Sequence, residues 1–272
     1  MTLSNPMLKS RRHRILTATL FVLPLLSGCR HHGRNELRIG VTPGPAEEVL
    51  ESVRSNLHDQ NVDLKIIPFT DYIQPNLALS GHDLDANLYQ NIPFMEQFNR
   101  DHKTSFVSVA KVYVPLMAIY PGRTHSLSAL KDGARVSLPN DPVNQARALH
   151  LLQNAGLLVL RPGLGNRTTI ADIAENPHHL VLVDLDASQL PRSREDVDLT
   201  VINANFALDA GLNPSKDAIF HESIDSIYAN VLSVNSNDQA DERIAKLGAA
   251  LRSEATKAFI TSHYKGAIYP AV

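Results

Sequence analysis

From residue 37 onward the chain switches repeatedly between two hydrophobic periods, and no other feature restricts its fold as much. Residues 37–41 alternate as a strand, Thr42-Pro43-Gly44-Pro45 marks a turn, and Ala46, Val49, Leu50, Val53 and Leu57 recur at helical spacing. Residues 62–67 read as the next strand. Strand, helix and strand within about thirty residues predict a right-handed parallel crossover. The alternation continues with a helix near 74–79, a strand at 84–88 and strand-like stretches at 107–114 and 116–120. A second series holds a strand at 135–138, a helix over 143–155, a short helix near Ile170, and strands at 180–185 and 199–202. A strand at 228–234 and helices centred near Leu247 and Ala258 come last. Such a pattern predicts an α/β protein, whose ligands sit beyond the carboxyl ends of its strands.

The first residues read differently. Lys9, Arg11, Arg12 and Arg14 precede an acid-free apolar run from Ile15 to Leu26, the layout of an export signal. Twelve residues broken by Pro24 fall short of the roughly 20 that span a bilayer, so the run is expected to be removed. Arg14 sits where a twin-arginine signal wants an apolar residue, which favours the general secretory route. The run ends in Leu26-Ser27-Gly28-Cys29, which resembles a lipobox: residues 1–28 form the signal peptide and Cys29 takes a diacylglycerol. As the single cysteine, Cys29 leaves no intrachain disulfide, and stability rests on a core. Residues 29–35 form a polar tether in which His31-His32 read as solvated. Without residues 1–28 the chain loses four of 26 basic residues and none of 28 acidic ones, so its formal charge moves from -2 to -6. That balance gives no basic face for nucleic acid.

Catalytic signatures are missing from the sequence. No serine lies in a G-x-S-x-G elbow, the cysteine is expected to be acylated, and Gly163-Leu164-Gly165 lacks the rest of a phosphate loop. His178-His179 has no carboxylate at ligand spacing and reads as exposed loop. Three segments call for explanation instead. In Phe69-Thr70-Asp71-Tyr72 and in residues 87–94, aromatics gather around apparent loops, either as a cage for an apolar or thioether side chain or as plain core. In the third, Pro139-Asn140-Asp141-Pro142 opens a helix that carries Arg147 in its first two turns. A guanidinium there would match an amino acid's carboxylate, with Asn203 and Asn230 adding hydrogen bonds; the alternative is a surface ion pair.

Taken in order, the lipobox, Phe69-Thr70-Asp71-Tyr72 with Pro75-Asn76, Pro139-Asn140-Asp141-Pro142, Glu175-Asn176-Pro177, Gln189-Leu190-Pro191-Arg192-Ser193, Val201-Ile202-Asn203 and Tyr228-Ala229-Asn230-Val231 resemble the methionine-binding lipoproteins of the NlpA type. The resemblance implies a substrate-binding component of an ABC importer rather than an enzyme. It implies a two-lobed periplasmic-binding-protein fold of type 2, each lobe a mixed sheet flanked by helices. Residues 36–120 and 223–272 would form lobe 1, and residues 121–222 lobe 2. Arg147 would hold the ligand's carboxylate, Asn144, Asn203 and Asn230 would be polar contacts, and Tyr72, Tyr89 and Phe94 would cage the side chain. Tyr89 stands where phenylalanine is usual and Phe94 where tyrosine is usual. Asn91 replaces the histidine of a Gln-His pair, so an amide donor and acceptor are expected to line the side-chain pocket in place of a ring.

The implied partners are an amino acid, methionine or a close derivative, and an ABC permease. The protein is expected to be a monomer without cofactor or metal, anchored by lipid and facing the periplasm or the outer surface. Two alternatives stay open: the same fold binding another amino acid or small peptide, and an envelope or adhesion lipoprotein that has left transport. Cys29→Ala is expected to leave an unlipidated precursor, because the chain has no second thiol. Lipid labelling with membrane fractionation checks this, and lipid-labelled mutant protein in the membrane would overturn the lipobox reading.

Overall fold

The first strand and helix show local sequence setting local structure. In β1 (Glu36–Val41) Leu37, Ile39 and Val41 are fully buried, and α1 (Pro45–His58) turns Ala46, Val49, Leu50, Val53 and Leu57 onto the same core. Pro45 suits the first helical turn, where its missing N–H is not needed, and Glu47 and Glu48 complement the helix dipole. The next strand, β2 (Asp63–Pro68), pairs parallel to β1, with Glu36 opposite Asp63 and Val41 opposite Pro68. The expected parallel crossover is present.

The computed structural model describes residues 1–2, 35–224 and 227–271. The export signal, Cys29 and His31-His32 lie outside the described residues. The chain divides into two units, residues 1–33 and 34–272, and everything below belongs to the second. The remaining strands are β3 (Ala86–Asn91), β4 (Phe106–Pro115), β5 (Ala118–Pro121), β6 (Arg135–Pro139), β7 (Val159–Leu160), β8 (Ile173–Glu175), β9 (Val181–Leu185), β10 (Leu199–Ile202), β11 (Phe220–His221), β12 (Asn230–Asn235) and β13 (Ile268–Pro270). The remaining helices are α2 (Gln74–Ser80), α3 (Ile92–His102), α4 (Pro142–Asn154), α5 (Leu190–Ser193), α6 (Ala204–Asp209), α7 (Glu242–Leu251) and α8 (Glu254–Tyr264).

These strands form two principal mixed sheets. The first runs β13-β4-β12-β3-β1-β2 and the second β11-β5-β10-β6-β9. Around the first, Leu37, Ile39 and Leu50 pack with Leu247 of α7 and Ile260 of α8. Around the second, Val136, Leu138 and Val201 pack with Leu149 and Leu152 of α4. The chain passes from the first sheet to the second between Pro115 and Ala118, and returns between His221 and Asn230. Among the described residues no helix is long and apolar enough to cross a membrane.

Three expectations shift. Residues 116–120 stood ahead of the expected lobe boundary, but β5 pairs antiparallel with β10, Ala118 opposite Ile202, so the crossing comes earlier. An apolar run looks the same in either sheet. The strand expected at 84–88 lies at Ala86–Asn91, because Asp85 turns its carboxylate onto the Arg38 N–H and the polar residues after it are buried by bonding to each other. Directly after it comes a helix, α3, where a loop was expected; Pro93 sits in its first turn and Phe94, Met95 and Phe98 form its buried face.

A close approach also constrains the second sheet. A Cβ on Gly122 would lie 2.3 Å from the Val197 carbonyl oxygen and 2.6 Å from that of Arg194, backbone atoms that cannot swing aside. Gly122→Ala is expected to destabilise the protein by about 1 to 3 kcal/mol, as overpacked sites do. Equilibrium denaturation checks this.

Candidate functional site

All eight residues expected at a binding site line one pocket. Tyr72 comes from the turn before α2, Tyr89 and Asn91 from β3, Phe94 from the first turn of α3, and Asn230 from the start of β12. Asn144 and Arg147 come from α4, and Asn203 from the cap of α6. Both sheets therefore contribute walls. Gln90, Pro115, Ala204 and Asn205 complete the lining and were not anticipated, although Asn205 belongs to the Asn203-Ala204-Asn205 run that opens α6. The empty volume is about 330 Å³.

A chain of amides fixes one wall. The Asp141 carboxylate caps α4 by accepting the Asn144 N–H at 2.9 Å, and it accepts the Asn144 side-chain Nδ2 at 3.0 and 3.1 Å. That contact turns Asn144 Oδ1 away to accept Asn203 Nδ2 at 2.8 Å. Each amide thus fixes the orientation of the next, and the chain ends in Asn203 Oδ1, a buried acceptor that no group among the described residues satisfies. Leaving such an atom unpaired costs about 1–3 kcal/mol, which a ligand donor removes. Burial holds the Asp141 carboxyl above its ordinary range, against the lowering effect of its bonds to Asn144.

Another part of the lining is aromatic. Tyr72 lies 5.9 Å from Tyr89, stacked, and 5.9 Å from Phe94, edge-on; Tyr89 and Phe94 are 6.1 Å apart, also edge-on. Tyr89 donates its hydroxyl to the Tyr72 carbonyl at 2.8 Å, and Tyr72 donates to Asn205 Oδ1 at 2.6 Å. The second bond joins a turn of the first sheet to a helix of the second. Burial pushes both phenols well above their ordinary range, so they remain neutral donors. Beneath the rings Gln90 Nε2 donates to Asn76 at 2.8 Å and Asn87 at 2.9 Å, a buried network that holds β3 to α2.

Asn91 differs from its expectation. Its Oδ1 accepts the Phe94 N–H at 3.0 Å and caps α3, so it brings only its donor to the pocket. Arg147 differs too. Its side chain is 2% exposed, and its Nε and Nη2 donate to the two Glu222 oxygens at 2.7 and 2.6 Å. Nη2 also donates to the Pro115 carbonyl at 2.7 Å, and the guanidinium carbon lies 4.4 Å from the Tyr228 ring centroid. The ion pair is buried rather than superficial. Nη1 is left without a protein partner among the described residues. Burial pulls the Arg147 pKa down, but the Glu222 carboxylate more than offsets this and leaves it raised, so the guanidinium stays charged. Sequence reasoning missed Glu222, whose one outward sign was an acid in the stretch leading back to the first sheet.

Two mixed sheets joined by two crossings, with a small amide-and-ring pocket lined from both, define a solute-binding protein. The family model described as NlpA lipoprotein matches residues 37–272. The D-methionine-binding lipoprotein MetQ of Salmonella typhimurium is 39% identical over 234 residues, which cover 84% of this chain and 86% of that protein. A nutrient binding protein from Burkholderia cenocepacia, solved bound to methionine, superposes with a TM-score of 0.83 at 40% identity, covering 87% of this chain and 100% of that one. Lipoprotein Tp32 from Treponema pallidum gives a TM-score of 0.83 at 36% identity, covering 88% and 100%. The chain belongs to the NlpA lipoprotein family.

Asp141→Ala removes the cap of α4 and the anchor of the amide chain together. It is expected to lower stability by about 1 kcal/mol, within the range for lost helix caps. Denaturant unfolding of the variant beside the parent checks this.

Proposed function

We propose that this chain is the binding component of an ABC importer, held to a membrane by lipid on Cys29 and carrying methionine or a close derivative. The observation that carries the reading is the convergence in one pocket of a buried guanidinium whose Nη1 makes no hydrogen bond to the described residues, an unpartnered amide oxygen and a three-ring cage. The pocket is small and walled from both sheets by buried side chains, which suits a single amino acid better than a peptide. In this reading Nη1 of Arg147 meets the carboxylate, Asn203 Oδ1 accepts the α-ammonium, and Tyr72, Tyr89 and Phe94 surround the side chain. A thioether gains about 0.3–1.5 kcal/mol against aromatic edges.

Relatives named for methionine support this ligand, and the unpartnered acceptor weighs against a purely structural envelope role. The two sheets act as lobes that close by a hinge at the two crossings, with a permease as partner and the monomer as the working form. The test is calorimetric titration of ligand-free protein against the amino acids, with methionine expected to bind tightest. Arg147→Ala is expected to weaken binding roughly thirty-fold or more, since truncating one member of a buried charged pair costs about 2–5 kcal/mol. Tighter binding of another amino acid sinks the methionine assignment, and an unaffected Arg147→Ala variant sinks the carboxylate site.

A further inference from the structure

Glu222 stands behind the pocket's arginine rather than at its surface. Its two oxygens take Nε and Nη2 of Arg147 at 2.7 and 2.6 Å, and one of them also accepts the Met117 N–H at 3.0 Å. The side chains are 2% and 13% exposed, so water screens the pair little. The cation offered to a ligand is therefore already matched before a ligand arrives. Asp141 adds a second carboxylate beside the same wall, held by Asn144. One cation in the lining is thus backed by two carboxylates that stand behind Arg147 and Asn144. Independently, the unpartnered buried atom of the lining is an acceptor, Asn203 Oδ1, which asks for a donor. Hydrogen bonding asks for a donor, and charge balance favours one that brings a positive charge along with the carboxylate.

We propose that Glu222 sets the net charge of the accepted ligand, so that a zwitterion with a free α-ammonium is preferred over its N-acylated, anionic counterpart. This rests on the amino-acid reading above. A zwitterion leaves the charge of the enclosed site unchanged. An N-acylated amino acid sets a third carboxylate against one cation, and offers Asn203 only a neutral amide N–H. Like charges repel strongly where water is excluded.

The experiment measures, by calorimetry on the full-length protein purified in detergent and freed of ligand, the affinities for L-methionine and N-acetyl-L-methionine. The parent is expected to favour methionine about a hundredfold or more. Glu222→Gln keeps the shape of the pair but removes the negative charge, and is expected to narrow that preference about tenfold or more. Glu222→Asp keeps the charge and is expected to keep the parent's preference within about threefold. Arg147→Gln bares Glu222 and is expected to widen the preference, which carries the test alone if Glu222→Gln does not fold. A lost side-chain contact with no electrostatic role would weaken both ligands together and leave the ratio alone. An unchanged ratio in a folded variant, or shifts of the same sign in Glu222→Gln and Arg147→Gln, overturns the inference while leaving methionine binding intact. A parent that binds neither compound overturns the methionine reading and, with it, the inference drawn on that ligand.

Discussion

A guanidinium kept out of water is the constraint around which this fold is arranged. An isolated charge at the 2% exposure of the Arg147 side chain would cost several kcal/mol, so each of its surroundings has to compensate. The compensation comes from both places where the chain passes between the sheets: the Pro115 carbonyl at the first, and the Glu222 carboxylate and Tyr228 ring at the second. Helix α4 of the second sheet is thereby tied to the exit of the first sheet and to the return path into it. A buried ion pair contributes little net stability compared with a well-packed apolar pair. What this one does is join α4 to both crossings through a single side chain.

The parts of the fold legible in the sequence are those whose energetics are apolar and local. Helix α1 and strands β1 and β2 follow from spacing alone, since each buries one stripe or one face. Strand β3 was displaced because its buried residues include Asn87, Gln90 and Asn91, which read as surface until it is known that the first two bond to each other and the third caps α3. Helix α3 was hidden because its cap, Asn91, also ends a strand. At the site, Arg147 could be picked out by its place in α4, but pattern alone left its role open, and the grouping of the eight residues came from family resemblance. Glu222 was out of reach for a different reason. It meets Arg147 across 75 positions of chain, and no local period encodes such a pairing.

The pocket's polarity has a direction. From Asp141 through Asn144 to Asn203, each amide turns its donor toward the group before it and its acceptor toward the next. Buried networks of this kind specify a single arrangement when every member is satisfied. Here every link is satisfied except the last, and the unsatisfied atom lies in the lining of the pocket. The neighbouring Asn76, Asn87 and Gln90 amides bond to one another. One network is closed and stiffens the wall. The other is open and faces what enters.

The depth of that lining also governs timing. Tyr89, Phe94, Asn144, Arg147, Asn203 and Asn230 are each 7% exposed or less, and Tyr72 bonds across to Asn205. Side chains this buried stand close around whatever the pocket holds. Under the proposed hinge closure, loading and unloading are gated by the protein's own opening rather than by diffusional encounter, which holds association below the rate an open cleft would allow. Residence time then becomes a property of the contacts that bridge the two sheets. A substitution at such a contact, outside the ligand's reach, would change how long the ligand stays without changing which ligand is chosen.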